Sequence, residues 1–457
     1  MSEKKADLSK GMPRREFIKS TAIAGAGLVI ASPFVRAQSR GRQQKVWGPN
    51  TLNIGIIGCG AQGQVLINAL LKGIEDVRIS AVCDIWEEYN QTRVYRLLMA
   101  YGHNPNKYID YREMLDKEKD LHGVIIATPD FRHAEHAIAA MEAGLHVYCE
   151  KEMSNTLENA RKMVQTQKRT GKLLQIGHQR RSNPRYIHCY EKLIKEANLL
   201  GRITTINGQW NRSVQPDNGW PEKQAIPQER LKQFGFKNMH QFRNWRWYKG
   251  MGGGPIVDLG SHQLDIYAWF LEAEPISVMA SGGTDYYEKD THEWYDTVQT
   301  MFEFKTKQGN IVRATYQTIT TNNNEGYFEA FLGDEGALII SESAARGGVY
   351  RQQNAPLWDQ WVEKGYIHAP EEKKPKNTDV VLDVRETLAP PVHEIPVEFN
   401  DPYHQPHLRN FFNAIRGEEE LNCPAEVGYE TAVMVLKVNE AVEAQRRLHF
   451  GDNEFKV

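Results

Sequence analysis

The distribution of apolar positions divides the chain into two parts with different rhythms. From residue 51 to about residue 178, short apolar runs alternate with longer amphipathic stretches. The alternation predicts strands at 52–57, 77–83, 123–127, 146–149 and 173–178, and helices at 65–74, 87–101, 133–143 and 157–170. Because strands alternate with helices and the run at 123–127 is apolar throughout, we predict an α/β domain with a doubly wound parallel sheet.

Past residue 180 the alternation ends. Strand-like runs follow one another without long helices between them, at 203–210, 276–280, 297–304, 311–317, 327–332 and 337–340. This pattern predicts a second α/β domain built on a large, mostly antiparallel open sheet. Further along, the sequence predicts a glycine loop at 252–254 leading into an amphipathic helix, a long irregular excursion at 347–396, and helices at 406–416 and 426–447.

Three spaced glycines follow the first predicted strand, in the run 58–63. A strand, a tight turn and a helix whose free N–H groups face an anion form a dinucleotide cradle. In such a cradle Gly58 permits the turn, Gly60 lets a pyrophosphate approach the backbone, and Gly63 brings the helix close to its strand. We therefore predict that these glycines, with Gln62 between them, bind a cofactor.

A carboxylate strengthens this interpretation. Asp84 ends the second predicted strand ~20 residues after the glycines, where the dinucleotide fingerprint has an acid for the ribose hydroxyls. Its charge would repel a 2′-phosphate, so the sequence favours NAD over NADP, with Arg93 as a remaining candidate phosphate partner. The alternative is the same fold with an empty crevice, in which Asp84 only caps a helix.

Polar residues follow two further strands of this predicted sheet. Thr128, Pro129 and Asp130 come directly after the third strand, and Glu150 and Lys151 come after the fourth. Ligands of open parallel sheets bind beyond the carboxyl ends of the strands. We expect all five residues to border the cofactor crevice.

Length and composition limit the function classes. A chain of 457 residues is long for one core, which favours two domains. A net charge of −2 gives no indication of the basic surface typical of proteins that bind nucleic acid or membranes. Trp210, Trp220, Trp245 and Trp247 cluster beyond the nucleotide half, where flat rings line a sugar site or simply pack a core.

The first fifty residues carry an export pattern. Arg14-Arg15 precedes a short apolar run at 21–31, and small side chains up to Ala37 suit peptidase cleavage. This pattern resembles a twin-arginine signal, which exports folded proteins and would let a cofactor travel inside; an uncleaved anchor is the alternative. The predicted divisions are a signal at 1–37, a linker at 38–50, a dinucleotide-binding domain at 51–178 and a substrate-binding and oligomerisation domain at 179–457.

The cysteines fit export of a folded protein. Their spacing matches neither a disulfide framework nor a zinc site. We expect all five cysteines to be free thiols and predict no metal site.

These motifs together resemble those of the glucose–fructose oxidoreductase, inositol dehydrogenase and rhizopine-catabolism (Gfo/Idh/MocA) family. The resemblance covers about residue 51 to the C-terminus and rests on the three glycines with Asp84, Thr128-Pro129 followed by His133, Glu150-Lys151, and a triple glycine with Asp258 and His262. It implies a nicotinamide-binding Rossmann domain, with His133 among the cofactor contacts, and an α/β domain for substrate and oligomer contacts. It also implies sugars, polyols or their glycosides as substrates. The family commonly has Glu-Lys-Pro, whereas this chain has Glu152 in place of the proline, so any backbone kink must be obtained otherwise.

Oxidation of a secondary alcohol requires a base for the hydroxyl proton while hydride leaves the carbon. Asp258 and His262 lie four positions apart on the predicted helix and share a face, so we expect His262 to be the base and Asp258 to orient it. Both match catalytic positions of the family. Lys151 would arrive from the other domain to polarise the oxygen or share the proton transfer. The alternatives are a surface Asp–His hydrogen bond and a solvated lysine.

Substrate contacts are predicted for Arg180, Arg181, Trp245 and Trp247, while His178 is expected to satisfy a core contact. The leading hypothesis is an exported NAD-dependent oxidoreductase of sugars, polyols or glycosides, working as a homodimer or homotetramer with NAD held through purification. The first alternative is a redox-neutral glycosidase that oxidises, eliminates and returns the hydride. The second is a nucleotide-binding protein without catalysis.

Overall fold

The structure is a computed structural model that describes residues 47–343, 346–370 and 390–457. The predicted signal at 1–37 and most of the predicted linker lie outside the described residues. Within the three described stretches, no helix has the length and apolar character needed to cross a membrane.

The first domain confirms the doubly wound parallel sheet. Its six strands are β1 (Leu52–Ile57), β2 (Val77–Cys83), β3 (Asn106–Tyr108), β4 (Gly123–Ile126), β5 (His146–Cys149) and β6 (Leu174–Ile176), in the order β3-β2-β1-β4-β5-β6 with every pair parallel. The helices are α1 (Ala61–Leu71), α2 (Thr92–Ala100), α3 (Tyr111–Lys117), α4 (Asp130–Glu142) and α5 (Leu157–Thr170), with a helical turn at Glu87–Gln91 before α2. Successive strands are added on one side of β1 up to β3 and on its other side from β4 to β6, so the topology switches between β1 and β4. In open parallel sheets the ligand crevice lies at such a switch point.

The second domain contains a sheet of nine strands. They are β7 (Ile203–Asn211), β8 (Pro275–Gly283), β9 (Thr297–Lys305), β10 (Ile311–Ile319), β11 (Tyr327–Gly333), β12 (Gly336–Ile340), β13 (Gly347–Arg351), β14 (Val392–His393) and β15 (Leu448–His449). The order is β14-β13-β12-β11-β7-β10-β9-β8-β15, and only the β7–β10 pair is parallel among these described strands. The prediction of a mostly antiparallel open sheet is confirmed.

Helices join the two domains. They are α6 (Pro184–His188), α7 (Gln228–Gln233), α8 (Met239–Arg243), α9 (Gly254–Leu271), α10 (Asp359–Glu363), α11 (Gln405–Ile415) and α12 (Ala425–Ala444), with short helical turns at Gln179–Ser182, Cys189–Glu196, Glu222–Gln224 and Trp245–Trp247. The α9 helix is buried on nearly every face because the nine-stranded sheet and α12 both pack on it. The α11 helix returns to the first domain, where Phe411 and Phe412 share a core with Ile54 and Leu66.

The predicted irregular excursion at 347–396 is partly wrong. β13 and β14 extend the nine-stranded sheet there, and α10 lies between them. Gly347 and Gly348 have a low strand propensity, so the sequence alone does not indicate a strand there. Backbone pairing with β12 nevertheless holds both glycines in the sheet. Residues 371–389 of this stretch lie outside the described part of the chain.

Candidate active site

The glycine run forms a tight turn that leads directly into α1. Gly58 has a φ of +99°, and a Cβ there would lie 2.5 Å from the Ala127 carbonyl oxygen. A Cβ on Gly63 would lie 2.1 Å from the Gly58 carbonyl oxygen, so both positions require glycine. At Gly60 a Cβ would meet only the Asn90 side chain, at 3.9 Å, so the backbone has an open face there. The cradle therefore fits a dinucleotide pyrophosphate at the start of α1.

Asp84 is tied to this turn. One oxygen of its buried carboxylate accepts a hydrogen bond from the Cys59 backbone N–H at 2.7 Å, and the other accepts from the Trp86 N–H at 2.7 Å. Burial raises the pKa of Asp84, against the lowering effect of these hydrogen bonds. The carboxylate thus joins the backbone just after β2 to the glycine run, at the predicted ribose end. Arg93 instead donates to the Tyr89 hydroxyl at 2.8 Å.

The ends of β1 and β5 meet as expected. Gln62 at the start of α1 donates to Glu150 at 3.2 Å, and its amide nitrogen lies 3.0 Å from the His404 ring. Thr128 contacts the His136 ring at 3.1 Å, and Pro129 caps α4. These residues line the carboxyl edge of the sheet, and their contact with a cofactor stays a prediction.

His133 lies between the segments that follow β4 and β5. Its two ring nitrogens each lie 2.7 Å from a backbone carbonyl oxygen, one of Thr128 and one of Glu152. Burial lowers the pKa of His133 to about 4. The ring therefore bridges the loops after β4 and β5, and its contact with a cofactor stays a prediction.

Lys151 crosses from the first domain to the second. Its Nζ donates to the Asp258 backbone carbonyl at 2.5 Å and to the Asp258 carboxylate at 3.0 Å, and the lysine side chain is only 10% exposed. The peptide bond between Lys151 and Glu152 is cis, at the position where the family commonly has proline. The lysine after β5 is therefore held by the helix that carries the predicted base.

Three cations surround Asp258. Besides Lys151, the Arg246 Nε lies 3.3 Å from one carboxylate oxygen, and an Arg212 nitrogen lies 3.9 Å from the other. Burial alone would raise the pKa of Asp258, but Lys151, Arg246 and Arg212 hold it well below its ordinary value. The carboxylate is therefore an ionised anchor for these cations.

The expected orientation of His262 by Asp258 is wrong. Both residues are in the described part of the chain, and no hydrogen bond joins them there; the carboxylate turns to the cations instead. The helical spacing put both residues on one side of α9 but did not decide the partner of the acid, because charged donors from other segments bind it more strongly.

His262 is a buried imidazole next to this cluster. Its Nδ1 has no hydrogen-bond partner in the described part of the protein, and its ring lies 5.4 Å from the Trp210 ring and 6.5 Å from the His178 ring, between centroids. Burial, followed by the positive charges of Lys151 and Arg180, lowers the pKa of His262 well below its ordinary value. The ring is therefore neutral near pH 7 and able to accept a proton.

Arg180 lies beneath the same Trp210 ring. Its Nε donates to Glu342 at 3.0 Å, one terminal nitrogen pairs with Glu329, and the other, Nη2, is buried without a partner in the described residues. His178 likewise has both ring nitrogens unpartnered among these residues, so the expected core contact is not made. Arg180 is itself buried, and the substrate contact predicted for it stays a prediction.

The other predicted substrate residues make packing contacts within the protein. Arg181 is paired with Asp265 at 2.8 Å and lies over the Trp269 ring. Trp245 is buried in an apolar cluster with Trp86, and Trp247 packs against the His292 ring, with centroids 4.3 Å apart. The substrate contacts predicted for Arg181, Trp245 and Trp247 stay predictions.

Sequence reasoning missed one charged residue of the site, Arg212. Arg212 and Arg246 reach Asp258 from segments far apart in the chain, and Asp130 is a buried carboxyl at the start of α4. Burial, against the opposing effect of Arg246, raises the pKa of Asp130 to about 7. Asp130 follows Thr128-Pro129 and Arg246 lies between two tryptophans of the predicted substrate region, whereas no local pattern singles out Arg212.

A segment that we call the strap, residues 214–251, leaves the second sheet and covers the first domain next to Asp84. Trp86 is fully buried under it, and its indole N–H donates to the Gln224 carbonyl at 2.5 Å. Arg230 of the strap donates to Glu88 at 3.0 Å. The strap therefore encloses the predicted ribose end of the cofactor crevice.

The cysteines and the side chains able to bind a metal ion were each the subject of a sequence prediction. All five cysteines are buried and free, as predicted. Among the described residues, no group of three or more histidine, cysteine, aspartate or glutamate side chains is arranged to hold a metal ion.

Comparison with known proteins agrees with this geometry. Residues 52–178 match the family described as "Oxidoreductase family, NAD-binding Rossmann fold", and residues 192–449 match "Oxidoreductase family, C-terminal alpha/beta domain". Inositol 2-dehydrogenase of Salmonella typhimurium is 30% identical over 174 residues, which are 38% of this chain and 50% of that protein. A glycosyl hydrolase family 109 protein of Stenotrophomonas maltophilia is 30% identical over 303 residues, 60% of this chain and 62% of that protein.

A solved structure shows the same fold. Levoglucosan dehydrogenase in complex with NADH superposes with a TM-score of 0.64 at 19% identity, covering 88% of this chain and 99% of that one. The match to inositol 2-dehydrogenase spans about half the length of that curated relative. Both halves of the chain match the two domains of one oxidoreductase family, and the chain therefore belongs to the Gfo/Idh/MocA family.

Proposed function

We propose that this protein is an NAD-dependent oxidoreductase that acts on a secondary hydroxyl of a sugar, polyol or glycoside. One observation carries the proposal: Lys151, at the carboxyl edge of the cofactor-binding sheet, is bonded to Asp258 on the helix that also presents the neutral, buried His262. A base and a cation thus meet beside a dinucleotide cradle. The inositol and levoglucosan dehydrogenases among the similar proteins support this substrate class.

The residues divide the chemistry between them. Bound at the glycine run and Asp84, NAD would accept the hydride from the carbinol carbon. His262 takes the hydroxyl proton, because its lowered pKa keeps the ring neutral. Lys151 donates a hydrogen bond to the same oxygen and stabilises its developing negative charge. Asp258 holds Lys151 in place through the bond at 3.0 Å.

The test is NADH formation, followed by absorbance, with a panel of myo-inositol, levoglucosan and glucose. We expect His262→Ala to lower turnover by about 10²–10⁴-fold while substrate affinity changes little. His188→Ala is the matched control, because that ring bonds the Tyr366 carbonyl away from the site. If His262→Ala retains most of its turnover at neutral pH, Lys151 becomes the preferred base.

A second candidate function is supported by the glycosyl hydrolase family 109 relative. A redox-neutral glycosidase would use the same base and lysine, but oxidation would be followed by elimination of the aglycone and return of the hydride. Nitrophenyl glycosides separate the two functions when no acceptor is added. Aglycone release without net NADH supports the glycosidase, whereas NADH accumulation without release supports the dehydrogenase.

We also propose export by the twin-arginine route, retention of NAD, and a homodimer or homotetramer. Arg14-Arg15 supports export, and the strap over Trp86 supports slow cofactor release. Met279 and Met301 are paired across β8 and β9 and exposed, which suits a surface for a second copy. Cell fractionation and light scattering test the location and the oligomeric state.

A further inference from the structure

Arg212 is a poorly compensated arginine at the centre of the site. It follows the end of β7, where its backbone N–H donates to the Ile319 carbonyl at 2.8 Å, so the residue is held firmly. Its nearest carboxylate oxygen, on Asp258, is 3.9 Å away, and in the described part of the chain its guanidinium makes no hydrogen bond. A guanidinium has five N–H donors. Most of the donors of Arg212 are therefore free to bind a ligand.

The neighbouring carboxylates do not neutralise the charge of Arg212. Asp258 is already bonded to Lys151 at 3.0 Å and lies 3.3 Å from Arg246, so three cations share one carboxylate. Asp130 and Glu150 contribute their charge at Arg246, whereas Asp258 is the only carboxylate, among the described residues, whose charge contributes at Arg212. Burial, followed by repulsion from Arg246, lowers the pKa of Arg212 below its ordinary value. The second domain thus presents unbalanced positive charge toward the crevice.

The position of this charge separates it from the cofactor phosphates. The pyrophosphate cradle is at the start of α1 in the first domain, whereas Arg212 projects from the second sheet and lies over the Trp210 ring at 5.3 Å. Trp210 also lies 5.4 Å from His262. Arg212 and His262 therefore both border Trp210, so a substrate whose reacting hydroxyl lies at His262 would have another substituent within reach of Arg212.

We propose that Arg212 binds an anionic substituent of the substrate, so that the preferred substrates are acidic sugars. This inference rests on the proposed oxidoreductase function and narrows its substrate class. A carboxylate or a phosphate accepts two parallel N–H bonds from one guanidinium, which a neutral hydroxyl does not. Arg246, with its side chain 48% exposed, is able to approach the same anion.

Calorimetric binding to the NAD-loaded protein tests this, with D-glucuronate, D-glucose 6-phosphate and D-glucose as probes. We expect one of the two acidic sugars to bind about 10- to 100-fold more tightly than glucose, as for loss or gain of a charge-assisted pair. Preference for glucuronate assigns a carboxylate, and preference for the phosphate ester assigns a phosphate. Arg212→Gln should remove the preference, because it weakens binding of the favoured acidic sugar far more than binding of glucose, and Arg212→Lys should restore part of it.

Arg313→Gln is the matched control, because it removes one charge from β10 of the same sheet at an exposed side chain that faces Glu303. It should keep the preference. Equal binding of acidic and neutral sugars, or an equal loss of both in Arg212→Gln, would overturn the inference while NADH formation from neutral sugars upheld the proposed function. A protein that binds NAD but none of the three sugars, and forms no NADH with the polyol panel, would overturn both.

Discussion

Asp258→Asn tests whether activity depends on the negative charge of the carboxylate that three cations share. Asparagine keeps the shape of the side chain and one acceptor, but it removes the only charge that Lys151 and Arg212 both contact among the described residues. Two consequences are expected. Lys151 keeps its bond to the backbone carbonyl of residue 258 but loses the ion pair that orients its ammonium, and the cations repel one another without compensation.

The magnitude follows from burial. Removing one partner of a fully buried ion pair costs about 3–5 kcal/mol, whereas an exposed pair contributes about 0–1 kcal/mol. Asp258 keeps 17% side-chain exposure and Arg246 keeps 48%, so we expect the free energy of unfolding to fall by about 2–3 kcal/mol. For a chain of 457 residues, with an unfolding entropy of about 2.1 cal/mol/K per residue, that is a shift in Tm of about 2–3 °C. Loss of one charge-assisted hydrogen bond to Lys151 corresponds to a fall in kcat/KM of about 10–150-fold.

The assay measures kcat/KM from the absorbance of NADH as the bound NAD is reduced in a single turnover, at a temperature well below both melting transitions, and Tm by calorimetry. Asp265→Asn is the matched control on the same helix, since Asp265 is buried and bonded to Arg181 and Thr431 but not to Lys151. The control should lower Tm at least as much and leave kcat/KM close to the parent value. Asp258→Asn with unchanged kcat/KM, or Asp265→Asn with an equal kinetic loss, would refute the anchor.

Three further predictions concern the base and the cofactor. Because burial and then nearby positive charge lower the pKa of His262, its neutral form persists into acid, and kcat should show no decline centred near pH 6.5; a limb there would mean another base. Asp84→Ala should weaken NAD binding by on the order of 1.5–3 kcal/mol and narrow the preference over NADP in fluorescence titrations, with the α3 cap variant Asp110→Ala as control. Purified protein should leave gel filtration with NAD bound, and Arg230→Gln, which frees the strap from Glu88, should shorten that retention; a nucleotide-free parent would contradict the export argument.

Local signals account for most of the fold that could be predicted. A buried strand followed by spaced glycines is typical of a strand, a tight turn and a helix in succession. The sequence alone therefore predicts β1, the turn at Gly58 and α1. The strand at Gly347–Arg351 could not be found this way, because its glycines weaken the local preference and only the neighbouring β12 defines it. The strap is similar, since its path depends on packing over Trp86 in a distant segment.

In the site, too, the sequence indicates which residue types are present but not which partners they contact. Helical spacing correctly put Asp258 and His262 on one side of α9, but the acid binds Lys151, Arg212 and Arg246. These partners come from three separate segments, and no local pattern links them. Aromatic clustering likewise identified a tryptophan-rich region, yet only the structure distinguishes Trp210 beside His262 from Trp245 in the core.

The Lys151–Asp258 bond joins the two domains, so the site forms only where the two domains pack together. The cation is carried by the end of β5, the anion and the base are carried by α9, and neither domain alone contains the complete set. Helix α11 and the strap fix the docking, because Phe411 enters the first core and the strap covers Trp86. We therefore expect a change at either contact to alter the distance between Lys151 and His262, which would make the proposed cofactor retention and the proposed proton transfer depend on the same packed interface.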